Sequence, residues 1–360
     1  MKNKYSVVVL LLSLCLPFLT QAQQSKILTA DKYNENGLVY TLPLTSLSLE
    51  VTAEKEVRKA GPFHQYAKRF TGADKVISED AEIWTIKDIR VKPYGTPDPE
   101  NRYLMQVKPG MPTFLSVDNN GMLLGINISP EVKSEKESRD SSKVGMPLED
   151  NEYLQYVGED FSSAISSFEK ANQIWEALKE VREAKLALTR GTAETMPTDG
   201  RQLELMLNSL ERQEAALNAA FVGSVYKETS VRTFNFLPED EGKFVAFRMS
   251  DFAGPVKADD YSGSPVYINI RILSEGEIPV DSKGEEKKPA KDGVYYCVPG
   301  TAEITLSNGG KIYYEKNLEI AQFGFIFSLN PSLFTAKKEP AYAIFDPVTG
   351  ALKDLGTVKE

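Results

Sequence analysis

The sequence predicts an α+β fold, with predominantly antiparallel β regions, a short N-terminal helix and a central αα-hairpin. Three observations predict it: alternating strand patterns near both ends, two amphipathic helical patterns in the middle, and glycine-containing turns between neighbouring strands. No repeat of fixed period occurs, which disfavours propellers and solenoids. A chain of 360 residues is long enough for one large domain or two.

Residues 23–129 are predicted to form an N-terminal β-rich domain. Residues 45–53 alternate between apolar and polar, a period of two that is typical of a half-buried strand. Gly61-Pro62 is expected to open a short helix and Gly72 to close it. The turn sequence at 119–121 indicates a hairpin. Further strands are expected at 83–91, 103–107, 113–117 and 122–128.

Residues 152–223 are predicted to form the helical hairpin. Apolar residues of the first helix recur every seven positions, at Ile174, Val181 and Leu188. Asp160 is the expected N-cap of this helix. Thr198 or Asp199 is the expected N-cap of the second helix, which stops at Gly223. With roughly ten residues between them, the two helices make an antiparallel pair.

Residues 224–360 are predicted to form a C-terminal β-rich domain, with turns at 308–310 and 346–350. Residues 130–151 contain few apolar residues and predict a polar linker, and residues 275–292 predict a second polar insert. Strands are expected at 225–236, 243–249, 265–273, 294–298, 301–306, 311–314, 323–329 and 342–345.

The first 22 residues have the layout of a secretory signal peptide. Two lysines and an apolar run precede the small-residue cleavage site Thr20-Gln21-Ala22, so we expect the mature chain to begin at Gln23. Pro17 interrupts the apolar run, which is too short for a membrane anchor. Lipidation at Cys15 is disfavoured by the bulky Leu14 before it. We therefore expect an exported protein that is located in the periplasm or outside the cell. Association with the cell envelope is compatible with either location.

Composition and motifs exclude several classes of partner and cofactor. The net charge is −9 and becomes more negative when the two leader lysines are removed, so nucleic acid is a poor partner. No later apolar run reaches membrane-spanning length. His64 is the only histidine, which excludes a multi-histidine zinc site, and no P-loop or G-x-G-x-x-G occurs. We expect no cofactor and no bound metal.

Nucleophilic catalysis has little support. Without the leader, Cys297 is the only cysteine, so no internal disulfide can form, and its strand-like context is typical of a small buried hydrophobe. A Cys297–His64 pair has no supporting motif. Ser167-x-x-Lys170 lies on the first helix without companion motifs, and no G-x-S-x-G elbow occurs. We assign no catalytic residue.

Paired carboxylates remain as a route to catalysis, because glycoside hydrolysis needs only two acids at a suitable separation. In a chain with 51 acidic residues, acidic clusters are ordinarily solvated loops, and no EF-hand pattern is present. The candidate clusters are Glu79, Asp80 and Glu82; Asp98 and Glu100; Glu239, Asp240 and Glu241; and Asp259 and Asp260.

Four short strings carry a resemblance to a known family: Tyr40-Thr41-Leu42-Pro43-Leu44-Thr45, Gly61-Pro62-Phe63-His64-Gln65-Tyr66-Ala67, Ile83-Trp84-Thr85-Ile86 and Ala321-Gln322-Phe323-Gly324. With these strings in this order, the chain resembles the exported Bacteroidetes family called domain of unknown function 4831. The resemblance implies secretion and an α+β fold. It implies no activity and therefore no catalytic residues.

We expect a non-enzymatic envelope protein that binds a protein or a glycan. One alternative is a carboxylate-dependent glycan hydrolase. Another is an assembly subunit that uses the helical hairpin as its interface and forms an oligomer. A deep pocket with two acids about 5 to 10 Å apart favours the hydrolase. A broad apolar or aromatic patch without such acids favours binding.

Export predicts a defined N-terminus. The intact mass of the protein recovered from its native host is expected to show the loss of residues 1–22. Ala22→Tyr is expected to block this cleavage, because the position before the cut takes a small residue. Gln21→Tyr, one position earlier, is the control and is expected to be processed. An unprocessed wild-type protein contradicts the prediction.

Overall fold

The structure is a computed structural model that describes residues 25–27, 37–105, 114–130, 142–280, 283–290, 293–335 and 339–357. The expected cleavage site at Ala22 and Gln23 lies outside the described residues, as does the stretch 131–141 of the predicted linker. Among the described residues, no helix is long and apolar enough to cross a membrane.

Strands dominate the described part of the chain, and three helices interrupt them. The strands are β1 (Ser25–Ile27), β2 (Leu38–Lys59), β3 (Ala81–Met105), β4 (Leu115–Val117), β5 (Leu123–Ile126), β6 (Lys143–Val144), β7 (Ser224–Phe236), β8 (Gly242–Ser250), β9 (Gly254–Val256), β10 (Ser264–Ser274), β11 (Val294–Asn308), β12 (Lys311–Leu329), β13 (Ala341–Phe345) and β14 (Leu352–Thr357). The helices are α1 (Ala67–Phe70), α2 (Ser167–Arg190) and α3 (Gly200–Val222). The predicted α+β class is confirmed.

Three antiparallel sheets are built from these strands. Their strand orders are β1-β3-β2-β7-β6, β12-β11-β10-β8-β9 and β14-β13-β5-β4. The first sheet is organised by β2 and β3, which pair from Leu38–Met105 to Arg58–Ala81. On its other side β2 pairs with β7, from Leu47–Phe236 to Lys59–Ser224. Strands that precede and follow the helical hairpin in the chain therefore share one sheet.

Several segments that the sequence patterns separate are continuous strands in the structure. The predicted strands at 294–298 and 301–306 both lie in β11, and those at 311–314 and 323–329 both lie in β12. The reason is that bulges shift the register while pairing resumes beyond them, for example between Val298 and Gly300. The predicted turns before β5, before β12 and before β14 are confirmed.

The helical hairpin is confirmed, with one correction to its caps. Asp160 does not cap α2, because it lies in a separate 3-10 turn that extended residues divide from the helix. Ser166 is the N-cap and forms a capping box with Glu169. Asp199 caps α3, as predicted, by accepting from the backbone N–H of Gln202.

The predicted short helix after Gly61-Pro62 is a 3-10 turn at His64–Tyr66 followed by the single turn of α1. It ends before Gly72, which has a φ of +74°. Gly61 lies against the carbonyl oxygens of Ala219, Ala220 and Phe221, and a Cβ atom there would be 2.8 Å from each of them. This close approach fixes the short helix against the end of α3.

Three hydrophobic clusters hold these elements together. The sandwich core lies between the middle of β2–β3 and the second sheet, and it includes Leu47, Leu49, Phe247, Ile268 and Ile304. A second cluster joins the start of β2 to the third sheet and contains the buried Cys297. The hairpin core packs α2 and α3 on the short helix, through Phe63, Ala171, Ile174, Leu217 and Phe221.

A polar junction connects β2, β12 and the turn before β14. The hydroxyl of Thr45 accepts from the N–H of Ala321 at 2.9 Å and donates to the carbonyl of Val348 at 3.1 Å. The side chain of Gln322 accepts from the N–H of Thr45 at 2.9 Å and donates to the carbonyls of Thr45 and Pro238 at 3.0 and 2.7 Å. Thr45 is fully buried, so these groups have no water to replace the partners.

Thr45→Val is expected to destabilise the protein, because it keeps the shape of the side chain and leaves the buried N–H of Ala321 unsatisfied. The expected loss is about 1–3 kcal/mol in the free energy of unfolding, measured by urea denaturation. Thr85→Val on the exposed face of β3 is the control and is expected to change it by less than about 0.5 kcal/mol. Equal losses in the two variants contradict the importance of the junction.

Candidate functional site

The described part of the chain contains three cavities that are candidates for a binding site. One is a polar cleft at the base of the helical hairpin, with a volume of about 270 Å³. Another is an apolar crevice at the tip of the hairpin, of about 450 Å³. The third is a cavity of about 190 Å³ beside Cys297.

The basal cleft collects acidic residues around one lysine. Asp80 and Asp150 line it, and each has an oxygen close to the Nζ of Lys59, at 3.2 and 3.5 Å. The backbone N–H of Ala60 and the Lys59 ammonium lower the pKa of Asp80, and these carboxylates raise the pKa of Lys59. The two acids share a cation, and the lowered pKa of Asp80 keeps this carboxyl group in its charged form.

A buried carboxylate closes the same region. Glu152 is 4 % exposed and receives two hydrogen bonds from the guanidinium of Arg212, at 2.6 and 2.9 Å. Burial acts to raise the pKa of Glu152, and the contacts with Arg212 and the N–H of Glu149 outweigh it, so the pKa lies below its ordinary value. This pair fixes the 3-10 turn at 152–156 to α3.

The shifted pKa values of the described carboxyl groups differ from those that a glycosidase uses. Its general acid needs a raised pKa. Among the described residues, each carboxyl group with a shifted pKa has it lowered: Glu54, Glu56, Asp80, Glu152, Glu169, Glu214, Asp260 and Asp346. The clusters at 239–241 and 259–260 are exposed turns. In the part of the chain that is described, no three metal-ligating side chains come together.

Cys297 and His64 lie in different parts of the molecule. His64 has its Nδ1 at 2.9 Å from the carbonyl oxygen of Gly61, beside the hairpin core. Cys297 is buried in the cluster around Tyr40. Burial and, to a lesser degree, the charge of Asp98 raise the pKa of Cys297 to about 12, so its side chain is a thiol and not a thiolate nucleophile.

The hairpin crevice lies between the far ends of α2 and α3. Small side chains leave this space open, because alanines occupy positions at which larger residues would fill the groove between the helices. Met206, which lines the crevice, is 38 % exposed, and its sequence neighbour Leu205, which is not in the lining, is 63 % exposed. The apolar lining of the crevice consists of Ala184, Ala187, Leu188, Ala193, Met206 and Leu210.

Among the residues that line the crevice, Glu194 carries a charge. On α2, Glu180 and Glu183 lie one helical turn before the lining residues Ala184 and Ala187. The ion pairs between α2 and α3 involve other residues, Arg182 and Lys185 with Glu211 and Glu214. Within the described residues, no lysine or arginine forms an ion pair with Glu180, Glu183 or Glu194.

The fold and these cavities define an α+β protein in which a helical hairpin projects from packed antiparallel sheets. The chain belongs to the family described as domain of unknown function DUF4831, whose model matches residues 36–353. Comparison with curated proteins and with solved structures gives no match. The family model spans all four strings, and two of them, 40–45 and 321–324, meet at the Thr45 junction.

The sequence named some of these residues and missed others. Asp80 and Asp98 were among its acidic candidates, and each lines a cavity. The crevice residues were missed, since alanines in an amphipathic helix do not reveal whether a neighbour fills the space above them. A signal was available in the exposed Leu205, which falls outside the apolar stripe of α3.

The lowered pKa of Glu152 predicts a dependence of stability on pH. Its contribution is present above the ordinary carboxyl pKa of about 4.3 and is lost as pH falls through the lower folded value. Glu152→Gln is expected to lose about 2 kcal/mol in the free energy of unfolding at neutral pH, and this difference shrinks on acidification. Urea denaturation between neutral and acidic pH measures it.

The control is Glu176→Gln, which removes an exposed partner of Lys179 on α2. It is expected to change the free energy of unfolding by less than about 0.5 kcal/mol at any pH. A Glu152→Gln difference that stays constant through the acidic range contradicts the assignment.

Proposed function

We propose that this protein is an exported, non-enzymatic binding protein that holds a partner protein in the hairpin crevice. Export is supported by the leader sequence, with cleavage between Ala22 and Gln23. Binding is supported by one observation above all, a largely apolar crevice with the exposed Met206 in its lining at the far end of the hairpin. Apolar crevices of this size are typical of ligand and peptide sites.

The shape of the crevice indicates a helical partner. Two antiparallel helices with alanines between them leave a groove into which a third helix can place apolar side chains. Met206 adds a flexible, polarisable wall that adapts to different side chains. Six of the ten lining residues are apolar, so the apolar face of a protein helix fits this groove better than a glycan does.

The charge of the lining supports a positively charged partner. Glu194 is the charged lining residue, and Glu180 and Glu183 lie one helical turn before the lining residues of α2; these three side chains have no ion pair among the described residues. Charge complementarity favours a segment with lysine or arginine beside its apolar face. The occupant that we propose is therefore a basic amphipathic helix of another protein.

Two synthetic peptides test this proposal. One is a helix of leucine and lysine, and the other has the same leucines with glutamate in place of lysine. Fluorescence anisotropy with the whole protein is expected to show binding of the basic peptide, weakened by added salt, and at least about tenfold weaker binding of the acidic one. Met206→Glu, which changes a lining residue, is expected to abolish binding.

The control variant is Leu186→Glu, which changes a leucine of similar exposure on α2 that does not line the crevice. It is expected to bind the basic peptide as the wild type does. Equal binding of both peptides, or equal loss in the control, overturns the proposal. A dimer of the protein that dissociates on Met206→Glu also overturns it, because it assigns the crevice to a second copy.

A further inference from the structure

We propose that the cavity beside Cys297 binds a small primary ammonium ligand through the carboxylate of Asp98. This site is distinct from the hairpin crevice and does not depend on its function. Leu42, Leu44, Ala321 and Phe325 supply apolar walls, and Asp98 is the charged residue among those that line it.

Two facing bulges form the cavity. In β3, residues 98–101 stand opposite the single residue Leu42 of β2, because pairing passes from Thr41–Arg102 directly to Pro43–Pro97. In β12, residues 321–324 bulge opposite Pro299. The second bulge requires Gly324, since a Cβ atom there would lie 1.8 Å from the carbonyl oxygen of Val298. Bulges change the direction of the neighbouring side chains, and they are over-represented next to functional sites.

Asp98 brings a buried negative charge to this space. It is 8 % exposed, and in the described part of the chain it forms no ion pair with a lysine or arginine. Its oxygens accept from the N–H of Glu100 at 2.9 Å and from the side-chain amide of Asn101 at 2.7 Å. Neither donor carries a positive charge. Burying a carboxylate without a positively charged partner costs free energy.

A hydrogen-bond chain holds the carboxylate in place. The hydroxyl of Tyr103 donates to the side-chain oxygen of Asn101 at 3.1 Å, which directs the amide group of Asn101 towards Asp98. Tyr103 is itself stacked on Tyr295, with ring centroids 4.5 Å apart. The carboxylate is therefore pre-positioned by residues that are already packed, a feature that lowers the cost of binding.

The lining selects an alkyl ammonium over a metal ion. Metal cations such as Ca²⁺ need six to eight oxygen ligands. The lining side chains supply only four oxygens, two from Asp98 and one each from Asn101 and Gln322, and the last of these already accepts from Thr45. The volume of about 190 Å³ corresponds to about six water molecules, enough for an ammonium group on a short carbon chain.

Titration of the whole protein with n-butylammonium chloride tests the inference, with calorimetry and amide chemical shifts as readouts. Saturable binding is expected for butylammonium, and none for butanol, butyrate or potassium chloride at matched ionic strength. Asp98→Asn is expected to weaken binding at least about tenfold, because it keeps the shape and removes the charge. Glu100→Gln, an exposed neighbouring acid, is expected to bind as the wild type does.

Butanol binding equal to that of butylammonium overturns the inference, since the cavity is then only an apolar void. Equal competition by potassium chloride overturns it in favour of a metal cation. Unchanged affinity in Asp98→Asn overturns it as well. Where that variant does not fold, the comparison of butylammonium with butanol on the wild type decides alone.

Discussion

The structure depends on the buried contact between Thr45 and Gln322. At this point a strand of the first sheet crosses a strand of the second, and the turn before β14 meets both. Hydrogen bonds fix such a crossing in one register, whereas apolar contacts alone would let the sheets slide, because burial has no direction. The two family strings at 40–45 and 321–324 supply both sides of the contact, so they are explained by architecture before any ligand is considered.

The same crossing produces the cavity beside Cys297. Once β2 and β12 are fixed at Thr45 and Gln322, the extra residues of β3 and β12 on either side cannot join the ladders, and they bulge around Leu42. If its lining were wholly apolar, the cavity would be a packing defect, which destabilises a protein according to its volume. Asp98 in its wall is harder to explain by folding, because a buried carboxylate without a cation opposes stability. A feature that lowers the stability of the fold is expected where a protein binds a ligand.

The sequence predicted the elements better than their connections. Period-two patterns found β2, and the heptad spacing of Ile174, Val181 and Leu188 found α2, because local geometry controls both. The continuity of β11 and β12 was missed, since a bulge breaks the alternation of side chains without ending the pairing. Asp160 was wrong as a cap because several neighbouring polar residues could serve, and tertiary contacts decide among them. The sites were less predictable still: Asp98 was one acid among many, and nothing local distinguishes a buried acid from a solvated one.

The two ends of the helical hairpin have opposite physical characters. At its base, Glu152 and Arg212 pair within a buried network and the short helix packs on α3, so this end is fixed to the sheets. At its tip, most of the crevice lining is small and apolar, and Glu194 in this lining has no ion pair among the described residues. Met206 in the lining is exposed, and contact with a second molecule would bury it. The anchored base makes that contact efficient, because a fixed tip loses little freedom when a partner binds.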